Sequence, residues 1–391
     1  MLPNIKFQLG KGALGQVAAT QDGVVGLVVQ VPPGTFNLGI IIVVTGIEDA
    51  KSKGFTPEND ILFGVNTFAT ILQFYLNGVE GTELYIYGVS NLLGMSDICN
   101  PANTYLQDLV NIAGGKISIV SIIRNLPTGY GMVPQDGLDK DVYDALGYSE
   151  AFAEAQKALF APVVVILPAI GFEYNPLLLR NLKQNTQSSV SIFIGDDNKV
   201  GASLIACFLG RLSKIPVQRN AGRVKDGALL IPSLVGVKDD FPGNPSLVEA
   251  IHNKGFVTLR KHVRKSGYYV SDDPTATSDA NDYIGVARNR VINKVLRIAY
   301  DRYVEELLDE IALNASGQIS AAQATYYETL IERAISQLMV ATGELASITA
   351  FVDPTQNVLA TNKLCIDIRV VPVGYAKEIL IKLGFDNPQN L

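Results

Sequence analysis

The sequence is poor in the residues that most often perform acid–base or metal chemistry. It contains no tryptophan, two histidines (His252 and His262) and three cysteines (Cys99, Cys207 and Cys365). Neither the histidines nor the cysteines have the spacing of a metal site, and the odd, scattered cysteines argue against a disulfide framework. Because histidine is also the commonest general base, we expect no metal, no cofactor and no catalytic centre.

Long hydrophobic runs are also absent. The longest apolar stretches, 39–44 and 161–171, have the length of strands, whereas a membrane helix needs roughly 18 apolar residues in a row. The start, MLPNIKFQLGKG, lacks the basic segment and apolar run of a signal peptide. The net charge of −6 is the wrong sign for a protein that grips phosphate backbones. These features predict assembly in a cytoplasm, without binding to membranes or nucleic acid.

What the chain does contain is apolar surface. Hydrophobic residues make up 48% of its 391 residues and charged residues 18%, and the mean hydropathy is +0.21. This balance is apolar for a soluble monomer, so we expect some of the surface to contact other subunits. The length exceeds one ordinary core and favours two domains, or one domain with a large insertion.

Residues 23–238 alternate between strands and helices. The segments 23–31, 116–124 and 162–169 are continuous apolar strands, which is typical of strands buried on both faces. A sheet between two helix layers is therefore predicted, and this region is an α/β domain.

An α/β domain invites a nucleotide-binding interpretation. Gly10, Gly12 and Gly15 fit the G-x-G-x-x-G spacing, but the next 30 residues predict two strands and no helix whose N-terminus could bind a phosphate. The G-x-S-x-G motif of α/β-hydrolases is absent. A nucleotide- or small-molecule-binding α/β enzyme remains the alternative interpretation; it explains 23–238 but gives the two ends of the chain no role.

Both ends predict exchangeable strands. In residues 1–22, Ile5, Phe7 and Leu9 alternate with polar residues and have no obvious local partner. Residues 363–370 alternate strictly, and after a bend at 372–374 the alternation resumes at 379–383. Two half-buried strands are therefore expected to close the chain.

The segment 239–247, DDFPGNPSL, indicates a domain boundary. Beyond it, 255–273 predicts two strands and a turn, followed by helices at 282–312 and 319–343. A stripe of Ile292, Leu296, Tyr303 and Leu307, widened by Val291, Val295 and Ile298, should face a sheet. The basic hairpin, with Arg260, Lys261 and Arg264, precedes an acidic segment, which suits contact between subunits, although a merely solvated hairpin stays open.

With these residues in view, the last third resembles the conserved region of contractile tail sheath proteins. The resemblance lies in SDDPTATSDANDY at 271–283, in the following helix with Arg288 and Arg290, and in LCIDIRVVPVGYAKEILIKLGF at 364–385. It implies a structural subunit of the virion tail, assembled in the bacterial host cytoplasm. Copies would form a helical homo-oligomer around an inner tail tube, with baseplate and tail terminator proteins as further partners.

The resemblance also implies how such a subunit works. Terminal arms would add strands to sheets of neighbouring subunits, and contraction would be a switch between two packings of rigid subunits, without an active site. We therefore expect a discontinuous mixed-sheet and helix assembly domain, formed by 1–22 and 239–391, with an α/β domain inserted at 23–238. The expected contact residues are Ile5, Phe7, Leu9, Arg260, Lys261, Arg264, Arg288, Arg290, Ile366, Ile368, Val370, Ile379 and Ile381. For the apolar ones, packing within their own chain remains open.

Overall fold

Strands and helices alternate along the computed structural model, which describes residues 21–195, 204–231 and 238–385. The strands are β1 (Val25–Val31), β2 (Ile41–Val44), β3 (Leu84–Ser90), β4 (Ile119–Ile123), β5 (Pro134–Gln135), β6 (Leu138–Asp139), β7 (Val164–Pro168), β8 (Thr186–Gln187), β9 (Val190–Ile194), β10 (Val257–Arg260), β11 (Tyr269–Val270), β12 (Ala276–Thr277), β13 (Leu345–Phe351) and β14 (Asp367–Pro372). The helices are α1 (Ile47–Ser52), α2 (Pro57–Phe63), α3 (Thr67–Asn77), α4 (Met95–Cys99), α5 (Tyr105–Ile112), α6 (Lys140–Ala158), α7 (Ile205–Lys214), α8 (Pro245–Asn253), α9 (Val286–Tyr303), α10 (Ala321–Ile335) and α11 (Val358–Thr361).

Eight strands form one sheet in the order β11-β10-β9-β7-β4-β1-β3-β2. The six inner strands are parallel, whereas β2 and β11 pair antiparallel at the edges. Every residue of β1, β4, β7 and β9 is buried, because two separate hydrophobic clusters cover the two faces. The predicted α/β architecture, a sheet between helix layers, is confirmed.

The chain divides into two compact units, the first ending at Asp301 and the second beginning at Arg302. Strands β10 and β11 follow residue 239 in sequence, so segments on both sides of the predicted boundary contribute to one sheet. The division into 1–22, 23–238 and 239–391 stays a prediction about the assembled particle.

Helix α9 buries only part of the predicted stripe, together with polar residues that the prediction did not include. Its buried positions include Val291, Val295 and Ile298, but also the polar residues Asn289 and Arg290. Of the predicted stripe, Leu307 lies beyond the helix end and is 70% exposed. The prediction was only partly right because polar side chains of this helix bond to buried backbone groups, so the buried face is not the most apolar one.

The second unit is built on α10 and the antiparallel pair β13–β14. The Ser320 side chain caps the start of α10 by accepting a hydrogen bond from the N–H of Gln323. Tyr327 and Val352 lie in the small hydrophobic core of the second unit. Strand β14 forms where the alternating pattern predicts a strand. The second predicted closing strand is wrong for the single chain: residues 378–385 form no strand, since they have no neighbouring strand to pair with.

None of the helices in the described ranges is long and apolar enough to cross a membrane.

Candidate assembly surfaces

The pair β13–β14 has two edges, and their hydrogen bonds show which groups face outward. Ala350 lies opposite Ile368, and Ile348 opposite Val370. The N–H of Ala350 donates to the Glu332 carboxylate at 2.8 Å, so it points away from β14. Because inward and outward N–H groups alternate along an antiparallel strand, Ile368 and Val370 direct their own N–H and C=O groups to the outer edge of β14.

This outer edge of β14 is open. Within residues 21–195, 204–231 and 238–385, no hydrogen bond occupies the N–H of Ile368 or Val370. The side chains of Ile368 and Val370 are half-buried, so these two predicted contact residues offer a partner mainly their backbone N–H and C=O groups. Ile366 packs on the core of the second unit. Pro372 ends the strand and has no N–H to offer, so the usable edge is short.

The residues after β14 form an exposed apolar tail, defined here as 378–385. Its five large hydrophobic side chains are all more than two-thirds exposed: Ile379 78%, Leu380 77%, Ile381 70%, Leu383 92% and Phe385 109%. Four of them alternate, which would place them on one face if the segment became a strand. The predicted contact residues Ile379 and Ile381 thus pack little against the described part of the chain.

The predicted basic contacts lie mostly at the surface. Arg260 ends β10 and is exposed, as are Lys261, Arg264 and Arg288. Lys261 Nζ lies 4.9 Å from the centre of the Tyr268 ring, a cation–π contact. Ile5, Phe7 and Leu9 of the predicted arm lie outside the described residues.

Arg290 has an internal position instead. It is 3% exposed, and its guanidinium donates to the backbone oxygens of Asp22 at 3.3 Å and Ile215 at 3.2 Å. Its charge is therefore unavailable to another subunit in this conformation. The sequence did not indicate that Arg290 is buried, because an arginine near the start of a helix gives the same pattern whether it faces water or the end of a strand.

Three cations of α9, spaced i, i+4 and i+7, act as a clamp on the first unit. Besides Arg290, Lys294 forms an ion pair with Asp22 at 2.7 Å. Arg297 donates to the backbone oxygens of Ile117 at 2.7 Å and Pro162 at 2.8 Å, just before β4 and β7. Burial lowers the pKa of Arg297, because desolvation disfavours its charge. The spacing is visible in the sequence, but the carbonyl partners are not.

Replacing Arg297 with methionine should destabilise the first unit by about 2–4 kcal/mol, because buried carbonyls lose a charged donor. The urea midpoint of unfolding measures this. Arg297→Lys keeps one donor and should lose less, whereas Arg302→Met, at an exposed position, is the control expected to change little. Equal stability of R297M and the native chain would show that the clamp contributes nothing.

The segment 271–283 that carries the resemblance is a structural junction. Asp273 is 1% exposed, its carboxylate accepts the Asn220 side-chain amide at 2.7 Å, and it accepts the N–H of Ala287 in the first turn of α9 at 3.2 Å. Asp272 accepts the same amide at 2.5 Å. The two aspartates thus tie residue 220 to the start of α9, where a carboxylate also suits the helix dipole.

The carboxyl edge of the parallel strands, where α/β enzymes bind ligands, is filled by the protein itself. Arg124, directly after β4, is 2% exposed and pairs with Asp141 at 2.9 Å. Asp141 also accepts the N–H and the hydroxyl of Ser96, at 2.9 and 2.6 Å. Gln30 at the end of β1 donates to the Leu93 oxygen at 2.5 Å. These contacts occupy the position a ligand would need, although Gln30 Oε1 and Arg124 Nε have no hydrogen-bond partner in the described part of the chain.

An open groove of about 770 Å³ lies instead at the amino ends of the strands, near Lys116 and Phe160. In the described part of the chain, no group of three or more His, Cys, Asp or Glu residues is arranged to hold a metal ion.

Comparisons with known proteins show a matching family and solved structures with a similar fold. The models of the N-terminal and C-terminal domains of DUF2586 match residues 2–274 and 282–390. No curated protein matches the chain. The contracted helical sheath of the anti-feeding prophage is similar, with 16% identity, a TM-score of 0.62 and 99% of each chain covered.

Two further solved structures are similar over nearly the whole chain. The contracted sheath of an extracellular contractile injection system, PVC, has 12% identity and a TM-score of 0.64, covering 100% of this chain and 99% of that one. The sheath tail protein of Desulfitobacterium hafniense has 8% identity and a TM-score of 0.52, covering 95% and 100%. The resemblance seen in the sequence is thus confirmed for the fold.

Proposed function

Because the chain belongs to the DUF2586 family and has the fold of contractile sheath subunits, we propose that it is the sheath subunit of a contractile tail or injection particle. The observation that carries the proposal is a pair of complementary features in the second unit. One is the open edge of β14 and the other is the exposed tail, 378–385.

The tail and the edge fit each other as donor and acceptor of a strand. A tail from a second copy could bond to the outward groups of Ile368 and Val370 and bury the side chains that are exposed in the single chain. Each fully buried Ile, Leu or Phe contributes about 1.5–3 kcal/mol, so several such side chains can offset the cost of ordering the tail. The predicted arm, 1–22, would serve in the same way.

Such strand exchange would link copies into a helical homo-oligomer. By analogy with the sheaths it resembles, the assembly would surround an inner tail tube and join baseplate and tail terminator proteins. Its place would be the virion tail, after assembly in the bacterial host cytoplasm, and it would bind neither nucleic acid nor membranes.

Contraction, in this proposal, is a change in packing between rigid subunits that stay linked by their strands. The fully buried central strands of the first unit, such as β1 and β4, suit a body that moves as a whole. The exposed charges of the hairpin, Arg260, Lys261 and Arg264, are placed to meet different acidic partners in the two packings.

The enzyme alternative finds less support. The carboxyl edge of the sheet is occupied by the Arg124–Asp141 pair and its neighbours, so a ligand there would have to displace a buried ion pair. We therefore propose that the chain acts without catalysis and without a cofactor.

Val370→Pro tests the proposal through a single hydrogen bond. Proline is tolerated on an edge strand where the N–H faces outward, so this variant should fold like the native chain. It removes an N–H that an incoming strand needs, and we expect the concentration required for tube formation to rise at least about tenfold. Negative-stain electron microscopy and sedimentation, with and without the neighbouring tube protein, measure the effect.

Val370→Thr is the matched control, because it keeps both the β-branched shape and the N–H. It should assemble like the native chain. A native chain that remains a monomer or dimer under every condition, tube protein included, would overturn the sheath proposal itself. Normal assembly of V370P would place strand addition elsewhere.

A further inference from the structure

The two edges of the β13–β14 pair differ in a way that the proposed function does not explain. On the β13 side, the outward N–H of Ala350 donates to Glu332 at 2.8 Å, and that of Val352, just after the strand, donates to Glu328 at 2.8 Å. The outward N–H of Ile348 has no hydrogen bond among the described residues. Both glutamates belong to α10. On β14, by contrast, the outward N–H groups are open across the described residues.

The match between helix and strand is geometric. Glu328 and Glu332 are four residues apart, about 6 Å along a helix. Ala350 and Val352 are two residues apart, about 6.8 Å along a strand. The two carboxylates therefore present acceptors at nearly the interval at which the carbonyls of an incoming strand would present theirs.

We propose that Glu328 and Glu332 are an edge guard, which holds the Ala350–Val352 end of the β13 edge closed in the free subunit and directs the first strand addition to the β14 edge. This inference rests on the proposed sheath function. A strand from a second copy can pair with β14 without breaking any existing bond. On β13 it must first displace two charge-assisted hydrogen bonds.

The edge guard would prevent unordered pairing between copies, which the proposed function otherwise allows. A subunit that carries both an exposed strand-forming tail and an open sheet edge can pair out of order with other copies. Closing one of the two edges leaves a single place for the first contact. The β13 edge would become available only when a neighbour displaces the carboxylates, so strands would be added in a fixed order.

A plain structural role for the glutamates, docking β13 on α10, makes a different prediction. It would reduce the stability of the second unit on substitution, with no gain in strand binding. The decisive readout is therefore binding of a strand at β13, measured separately from stability.

The experiment uses the full chain and a labelled synthetic peptide with the sequence of residues 374–385. Peptide binding is compared in V370P, which blocks the β14 edge, and in V370P combined with E328A and E332A. Amide exchange of Ala350 and Val352 locates the bound peptide. We expect V370P to bind the peptide at least about tenfold more weakly than the native chain, and the triple variant to regain binding with protection of Ala350 and Val352.

The matched control carries V370P with E328Q and E332Q. Glutamine keeps an acceptor oxygen at each position, so the guard should be weakened and not lost, with intermediate binding. In a chain with native Val370, E328A with E332A should also lower the concentration for self-assembly by about tenfold.

The outcomes separate the two proposals. If the native chain forms tubes but the double alanine variant has the same threshold, and the triple variant gains no peptide binding, the guard is wrong and the sheath function stands. If Ala350 and Val352 exchange equally fast with and without the glutamates, the guard is also wrong. Failure of all variants and of the native chain to bind the peptide or form tubes would reject the sheath function as well.

Discussion

A chain that ends at Lys377 is expected to fold normally and to stay monomeric at concentrations about 100-fold above those at which the full chain forms tubes. The removed tail packs little against the described residues: the exposed fractions of Ile379 and Leu383 are 78% and 92%. Its loss therefore leaves the hydrophobic clusters of both units intact. What disappears is the apolar surface that strand exchange would bury, and with it about 1.5–3 kcal/mol for each large side chain.

Sedimentation velocity and electron microscopy measure the loss of assembly, and thermal unfolding checks the fold. The truncation has to follow β14, because a chain cut at residue 363 would also lose the partner of β13 and its stability. The matched control, Glu378→Gln with Lys382→Gln, removes the tail's charges and keeps its alternating apolar residues, so it should assemble. Tubes formed by the truncated chain would mean that the tail is not the linking strand.

Asp273→Ala is expected to destabilise the first unit by about 1–3 kcal/mol, the usual cost of leaving a buried hydrogen-bond donor without its acceptor. The change leaves the Asn220 amide and the N–H of Ala287 without that acceptor in a site that is 1% exposed. It also removes a negative charge from the start of α9, where the helix dipole favours one. Urea unfolding followed by circular dichroism measures the loss.

Asp279→Ala, in the same segment, is the control. Its side chain is 64% exposed and pairs with Lys183 at the surface, so its loss should cost at most about 1 kcal/mol. A D273A variant as stable as D279A would show that the junction does not depend on the buried carboxylate, and that the segment has its place for another reason.

The buried sheet could be predicted because its signal is local. The strands at 25–31 and 164–168 are apolar at nearly every position, and only burial on both faces accounts for that pattern. The polar residues on the buried face of α9 could not be predicted in this way. Arg297 and Asn289 face inward because backbone carbonyls of distant segments need donors there, and hydrophobic periodicity contains no information about such partners.

The tail illustrates a different limit. The pattern at 379–383 is that of a strand, yet a strand exists only where a second strand bonds to it, and the sequence does not say whose strand that is. The glutamates of α10 present the same problem: their spacing is plain, but their role depends on the register of β13, which tertiary structure fixes.

The contacts of Asp22 have a mechanical consequence. Its backbone oxygen accepts from Ser118 at 2.7 Å and from Arg290, and its carboxylate pairs with Lys294 at 2.7 Å. A pulling force applied to the chain before Gln21 would therefore load the contacts between Asp22 and α9 before it loads the hydrogen bonds that hold β1 in the sheet. Several bonds that are loaded at the same time resist a force better than strand hydrogen bonds that break one after another. These contacts would therefore protect β1 from a force applied through the amino-terminal segment.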